Sequence, residues 1–221
     1  MSDYAAIFDM DGVLVDSYRA HLESWQRAAR DRGLDMTEDD FAATFGRTSR
    51  DIIDHLWGSG VPENDRPAFD ADKEAAYRDI LRVEFPEMDG ASELVAALAE
   101  EGFALAVGSS GPPENVQVVL EMLPHAENIT ATVTGADVTR GKPHPDVFCA
   151  AAEKLGIAPR RCVVLEDAVH GLTAAHRADM AAVAITGTAE EGVLAAQADL
   201  VVDSLRELTP QRLAALIDAR A

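Results

Sequence analysis

The chain has 221 residues, 48% apolar and 26% charged, a globular profile that excludes wholesale disorder. Its length lies between one large domain and a domain carrying an inserted second one. A formal charge of −20 excludes the basic face that nucleic-acid binding needs, and no apolar run approaches the roughly 20 residues that cross a bilayer.

The first residues pass directly into Ala5-Ala6-Ile7-Phe8. Without a basic stretch, an apolar segment or a cleavage site, no secretory signal is expected and the chain reads as cytoplasmic. In that setting Cys149 and Cys162, the only cysteines, read as buried free thiols. Residues 5–8 are short, apolar and β-compatible, and they stop at Asp9.

Residues 16–88 show no strand pattern. They carry amphipathic stretches instead: Leu22, Trp25 and Ala29; Phe41 and Phe45; Ile52, Ile53, Leu56 and Trp57; Tyr77, Ile80 and Leu81. Thr37-Glu38-Asp39-Asp40 has the form of a capping box, and glycines at 33, 58 and 60 punctuate the segment. It reads as a small helical bundle inserted after the first strand, with Trp25 and Trp57 in its core.

From residue 89 strands and helices alternate. Apolar runs at 103–107, 162–165, 181–185 and 200–202 are strands. Ser92 is placed to cap a helix through Leu94, Val95 and Leu98 that ends at Gly102. Pro112 and Pro113 suit the first turn of another, and Pro145 starts a third that ends before Gly156. Thr209-Pro210 opens a last helix with Leu213, Leu216 and Ile217 at helical spacing. The expected fold is α/β, a Rossmann-like parallel sheet with helices on both faces. Residues 1–15 and 89–221 form that core, and 16–88 form the insert.

In an open parallel sheet, ligands bind beyond the carboxyl ends of the strands. Asp9-Met10-Asp11-Gly12 follows the first strand, Gly108-Ser109-Ser110-Gly111 the second, and Glu166-Asp167 the run at 162–165. Gly141-Lys142-Pro143 lies between the last two. Each alone is an ordinary polar turn or acidic helix start; placed together on one edge they make a site. Clustered carboxylates stay ionised beside a hard cation such as Mg²⁺. A carboxylate is a competent nucleophile at phosphorus. Ser109, Ser110 and neighbouring N–H groups can hold phosphoryl oxygens, while the lysine and the metal offset their charge. Lys73, Lys142 and Lys154 are the only lysines among nineteen basic residues, and a lysine among arginines marks a need for a compact charge.

The run Asp9-Met10-Asp11-Gly12-Val13-Leu14-Val15-Asp16-Ser17, with Ser109, Lys142 and Glu166-Asp167, resembles the four ordered motifs of the haloacid dehalogenase superfamily. The pattern is most similar to the branch of β-phosphoglucomutase and related sugar-phosphate phosphatases, and the insert resembles that superfamily's α-helical cap. The resemblance implies a Mg²⁺-dependent phosphatase acting on a small phosphorylated metabolite, a sugar phosphate. Asp9 would be the nucleophile and Asp11 the general acid and base. Ser109 and Lys142 would bind the phosphoryl group. Mg²⁺ would be held by Asp9, the Asp11 carbonyl and Asp167, with Glu166 as a ligand or water anchor. Asp11 favours phosphate esters over halides and phosphonates, because an alkoxide leaving group needs a proton.

A cap recognises the leaving group and excludes water; His21, Arg47, Arg50 and Lys73 are its candidates. Lys73 with Tyr77 resembles a cap-lysine pattern of β-phosphoglucomutase, and Gly46-Arg47-Thr48-Ser49-Arg50 resembles its substrate loop with one extra residue. A phosphomutase is therefore the alternative reading, and a phospho-accepting signalling domain a remote one. Four further histidines, 125, 144, 170 and 176, have no zinc-ligand spacing. The expected assembly is a monomer or a small homo-oligomer.

Overall fold

A computed structural model describes residues 3–188 and 191–220. The chain divides into two compact units, residues 1–16 with 85–221, and residues 17–84.

The first unit is built on six parallel strands: β1 (Ala5–Phe8), β2 (Ala104–Gly108), β3 (Ile129–Val133), β4 (Cys162–Glu166), β5 (Ala181–Ile185) and β6 (Leu200–Val202). Their order is β3-β2-β1-β4-β5-β6. β1 is central, pairing Ala5 with Ala104 on one side and with Cys162 on the other. The strand order reverses direction there, which opens the crevice where such sheets bind ligands.

Every residue of β1, β4 and β5 is buried, as a strand covered on both faces requires. Ala5, Ile7, Ala106, Val164 and Ala182 pack against Val147, Phe148 and Ala151 of α7 (Asp146–Leu155) and Leu172 and Ala175 of α8 (Val169–Arg177). The alternate residues Ala6, Phe8, Val163 and Leu165 are equally buried. Their side is covered by α5 (Ala91–Glu100), which contacts β2, and α10 (Pro210–Asp218), which contacts β4. The parallel α/β core expected from the alternation is what the chain forms. Two further helices of this unit are α6 (Pro113–Met122) and α9 (Glu191–Ala195).

Three local expectations are corrected. The edge strand β3 was not read from the sequence, because Ile-Thr-Ala-Thr-Val is only half buried and never forms a continuous apolar run. Ser92 is not a cap: Gly90 occupies that position with φ of 86°. The Ser92 N–H instead donates to Glu87 Oε1 at 2.8 Å, so a glutamate upstream satisfies the orphan amide of the first turn. Residues 85–88 belong with the sheet unit rather than the insert. Asp16 N–H donates to Pro86 O and Met88 N–H to Leu14 O, and Val15 bridges Glu87.

The second unit is helical: α1 (Tyr18–Arg30), α2 (Glu38–Thr44), α3 (Ser49–Leu56) and α4 (Arg66–Val83). Thr37 and Asp40 form the reciprocal cap that starts α2, as the sequence pattern predicts. Leu22, Trp25, Met36, Phe41, Ile53 and Phe69 make its core. Trp57 stacks on Phe69 with ring centroids 5.2 Å apart. Among the described residues, no helix is long and apolar enough to cross a membrane.

Candidate active site

The sheet's carboxyl edge is assembled from four segments. β1 delivers Asp9, whose N–H still donates to Leu165 O at 2.9 Å, so the first residue past the strand is held as firmly as the strand itself. The chain then turns tightly, with Leu14 N–H donating to Met10 O at 2.9 Å, and the turn carries a half-buried Asp11. Gly12 has φ of 73°, and a Cβ there would collide with the Asp167 carboxylate. Only glycine meets both demands.

Just past β2 lies Ser109, 2% exposed. Its N–H donates to Val133 O, and its Oγ accepts the Gly111 N–H at 3.0 Å. That leaves the hydroxyl proton free to be donated elsewhere. Ser110, the other predicted phosphate-binding serine, is exposed.

Lys142 comes from the loop before α7. Its side chain is 9% exposed, and Nζ donates to Asp9 Oδ1 at 2.6 Å and to Glu166 Oε1 at 2.7 Å. The Phe148 ring lies 4.7 Å from Nζ, a cation–π support. Arg140 grips Asp146 through two hydrogen bonds, 3.0 and 2.8 Å, and Arg177 Nη1 donates to Pro143 O at 2.8 Å. The lysine's loop is thereby tied to α7 and α8.

β4 supplies two acids with different surroundings. Glu166 is 1% exposed. Its Oε2 accepts the N–H groups of Asp167 and Ala168 at 2.9 and 2.8 Å, and its Oε1 accepts from Lys142. Gly171 on α8 leaves room for it, since a Cβ there would collide with Oε1. Asp167 is 7% exposed, and among the described residues its Oδ2 accepts the Thr188 hydroxyl.

The electrostatics follow from this packing. Burial pushes the Asp9 carboxyl up to about 7; Glu166 and Asp11 add repulsion, and Lys142 works against them. Asp167 is raised well above the carboxylate range, first by burial and then by Glu166 and Asp9. Burial alone would lower Lys142, but Asp9 and Glu166 outweigh it and hold the amine charged. Three buried carboxylates therefore share one ammonium. Oxygens of Asp9, Glu166 and Asp167 come within 4.8 Å of one another, a donor set that suits a hard divalent cation. Such an ion offsets the charge that Lys142 leaves over.

In the helical unit Lys73 is 4% exposed. Its Nζ donates to Glu74 Oε1 at 2.7 Å and lies 3.1 Å from His21 Nδ1. A charged lysine has no acceptor, so His21 receives at Nδ1. The His21 ring stacks on Tyr77 at 4.2 Å. His21 and Lys73 are thus brought together. Arg50 is engaged elsewhere, with Glu63 at 3.1 Å and Asp54 at 4.0 Å, and Arg47 is exposed between α2 and α3.

The model of the haloacid dehalogenase-like hydrolases matches residues 5–179, a span that contains the Asp9, Ser109, Lys142 and Glu166-Asp167 segments. The chain belongs to that family. The hydrolase is 32% identical over 217 residues to hexitol phosphatase B of Escherichia coli (strain K12), covering 95% of this chain and 96% of the relative. It is 27% identical to the β-phosphoglucomutase of Bacillus subtilis (strain 168) over 95% and 93% of the two chains. Among solved structures, a family IA variant 3 HAD hydrolase from Entamoeba histolytica superposes with a TM-score of 0.86 at 27% identity, over 97% and 99% of the chains.

Sequence reasoning missed four contributors to the hydrolase's two clusters: Thr188, Phe148, Gly171 and Glu74. Phe148 and Gly171 each lie within a helix whose start was visible, at positions that a helical pattern assigns to core packing. Thr188 sits in an unremarkable Thr-Gly-Thr turn. Glu74 was legible only as the neighbour of Lys73.

Proposed function

We propose that the hydrolase is a Mg²⁺-dependent phosphatase that cleaves a small phosphate monoester, a sugar phosphate, through an aspartyl phosphate on Asp9. The observation that carries this reading is the buried Asp9–Lys142–Glu166 chain of hydrogen bonds beside Asp167. It presents a carboxylate nucleophile next to a fixed cation at the sheet's switch point.

Asp9 attacks phosphorus; the bond to the ester oxygen breaks as Asp11 gives that oxygen a proton. Asp11, now a carboxylate, takes a proton from water, which attacks the phosphorus of the aspartyl phosphate. The P–O bond to Asp9 then breaks, restoring the carboxylate and releasing inorganic phosphate. Ser109 donates its hydroxyl proton to a phosphoryl oxygen, and Lys142 offsets charge beside the nucleophile. Mg²⁺, when bound, supplies electrostatic stabilisation of the phosphoryl oxygens and keeps Asp9 ionised. Asp9, Asp167 and the Asp11 carbonyl would hold it. Glu166, whose two oxygens are already used by Lys142 and two amides, anchors the lysine instead. The helical unit acts as a cap, with His21 and Lys73 recognising the leaving group and Arg47 as an exposed accessory charge. The family relationship and the phosphatase named among its relatives support this reading.

The test is phosphate release from a panel of phosphorylated metabolites with and without Mg²⁺, in wild type and Asp9→Asn. Substantial turnover by Asp9→Asn would sink the covalent scheme.

The His21–Lys73–Tyr77 cluster favours a second reading, in which a sugar hydroxyl rather than water receives the phosphoryl group. Incubation with β-glucose 1-phosphate and a bisphosphate primer decides: a phosphomutase yields glucose 6-phosphate faster than free phosphate.

A further inference from the structure

Asp167 is held differently from the other acids at the sheet edge. Asp9 and Glu166 both draw on Lys142. Asp167 has a neutral donor, the hydroxyl of Thr188, which bonds Oδ2 from 21 residues along the chain. Thr188 lies just past β5, the strand that flanks β4 on the side away from β1. The Cα of Gly12, in the turn after β1, crowds the same oxygen, since a side chain there would collide with Oδ2 and Cγ. Two loops therefore close on Oδ2.

An aspartate carboxylate otherwise rotates broadly about its last torsion. Gly12 and the hydroxyl together remove that freedom, and the donor's chemistry matters as much as its position. A hydroxyl satisfies one oxygen without cancelling the charge, whereas a lysine or arginine there would compete with a metal.

We infer that Thr188 is a positioning residue for the divalent-cation site. It donates its proton to Asp167 Oδ2, fixes the rotation of the carboxylate, and leaves Oδ1 for the ion. The inference rests on the proposed phosphatase reading in one respect, that the site takes Mg²⁺.

Calorimetric titration of MgCl₂ into the metal-stripped full chain reads the effect without catalysis. Thr188→Val keeps the shape and removes the donor; Thr188→Ser keeps the donor. Loss of an outer hydrogen bond to a metal ligand typically weakens binding ~10–100-fold, so Thr188→Val is expected to fall in that range and Thr188→Ser within about threefold of wild type. Activity of Thr188→Val should climb back toward wild type as Mg²⁺ is raised to saturation. Melting without metal reports folding, and Thr188→Ala replaces the valine variant if the latter does not fold. Wild-type affinity in Thr188→Val, or equal loss in Thr188→Ser and Thr188→Val, overturns the inference alone. A wild-type chain that takes up no Mg²⁺ overturns the metal reading of the active site along with it.

Discussion

Each unit of this protein buries a lysine, and the two are held by different means. Lys142 is fixed from far away: its carboxylate partners lie 133 and 24 residues distant in sequence, just past β1 and at the end of β4. Lys73 is fixed locally, by the next residue on its own helix and by a histidine on α1. The first arrangement places one cation among three buried carboxylates and so keeps a surplus of negative charge. The second sets the Lys73 ammonium against the Glu74 carboxylate, with aromatic rings beside the amine. A surplus attracts a metal; an ion pair in an aromatic setting can hydrogen-bond a neutral or polar group at little electrostatic cost. On the proposed reading the contrast separates chemistry from recognition, and it can be broken by experiment.

Asp9→Asn is expected to have the largest effect, a loss on the order of 10⁴-fold or more in phosphate release on every substrate. Lys142→Ala should follow with about 10³-fold. It should also lose about 3–5 kcal/mol of stability, since Glu166 and Asp9 are left buried without their cation; thermal melting checks this. Gly171→Ala attacks the same support from behind. Its methyl group would displace Glu166 from Lys142, so a cost of about 1–3 kcal/mol and a marked fall in kcat are expected despite alanine's better helix propensity.

Lys73→Met should behave differently. KM for the metabolite substrate is expected to rise by ~10–100-fold, the worth of a lost charge-assisted hydrogen bond. Turnover of a generic aryl phosphate, with no leaving group to recognise, should stay near wild type. Equal losses on both substrates would erase the distinction between the two lysines.

The smallest effect expected is in pH. Asp9 and Asp167 have folded pKa values raised above their unfolded ones. Between an unfolded value near 4 and the folded value of about 7 for Asp9, the folded state holds the extra proton. Stability of the metal-stripped protein should therefore fall as pH rises through that window. Melting in chelator from pH 4.5 to 7.5 should show the decline, Mg²⁺ should flatten it, and Asp9→Asn should shrink it. A metal-stripped protein that gains stability across this range would refute the surplus-charge account.

The sheet was legible wherever strands are buried on both faces, because a continuous apolar run such as Ala181–Ile185 has no competing reading. β3 escaped because an edge strand alternates. The gathering of Asp9, Ser109, Lys142, Glu166 and Asp167 followed from one rule of parallel sheets, that loops after the strands share an edge. What could not be read is how those groups divide their partners. Glu166 and Asp167 are adjacent acids in the sequence, yet one accepts from two amides and a lysine while the other, among the described residues, accepts from a hydroxyl. That division depends on backbone turns and on Thr188, which no local pattern announces. Arg50 illustrates the opposite failure. Its sequence position resembles a substrate loop, but the side chain lies among carboxylates of its own unit, and long flexible side chains leave no directional trace in a sequence.

The central place of β1 also sets a schedule. At about 5–20 residues per second of synthesis, the 133 residues between Asp9 and Lys142 separate the two in time by on the order of ten seconds. The carboxylate at the heart of the site is made well before its lysine, and β4 must follow before β1 has a neighbour on that side. Until then its strand has an open edge. The site is consequently born late and all at once. A ribosome-bound chain truncated before Cys162 should contain a folded helical unit and an unformed active site.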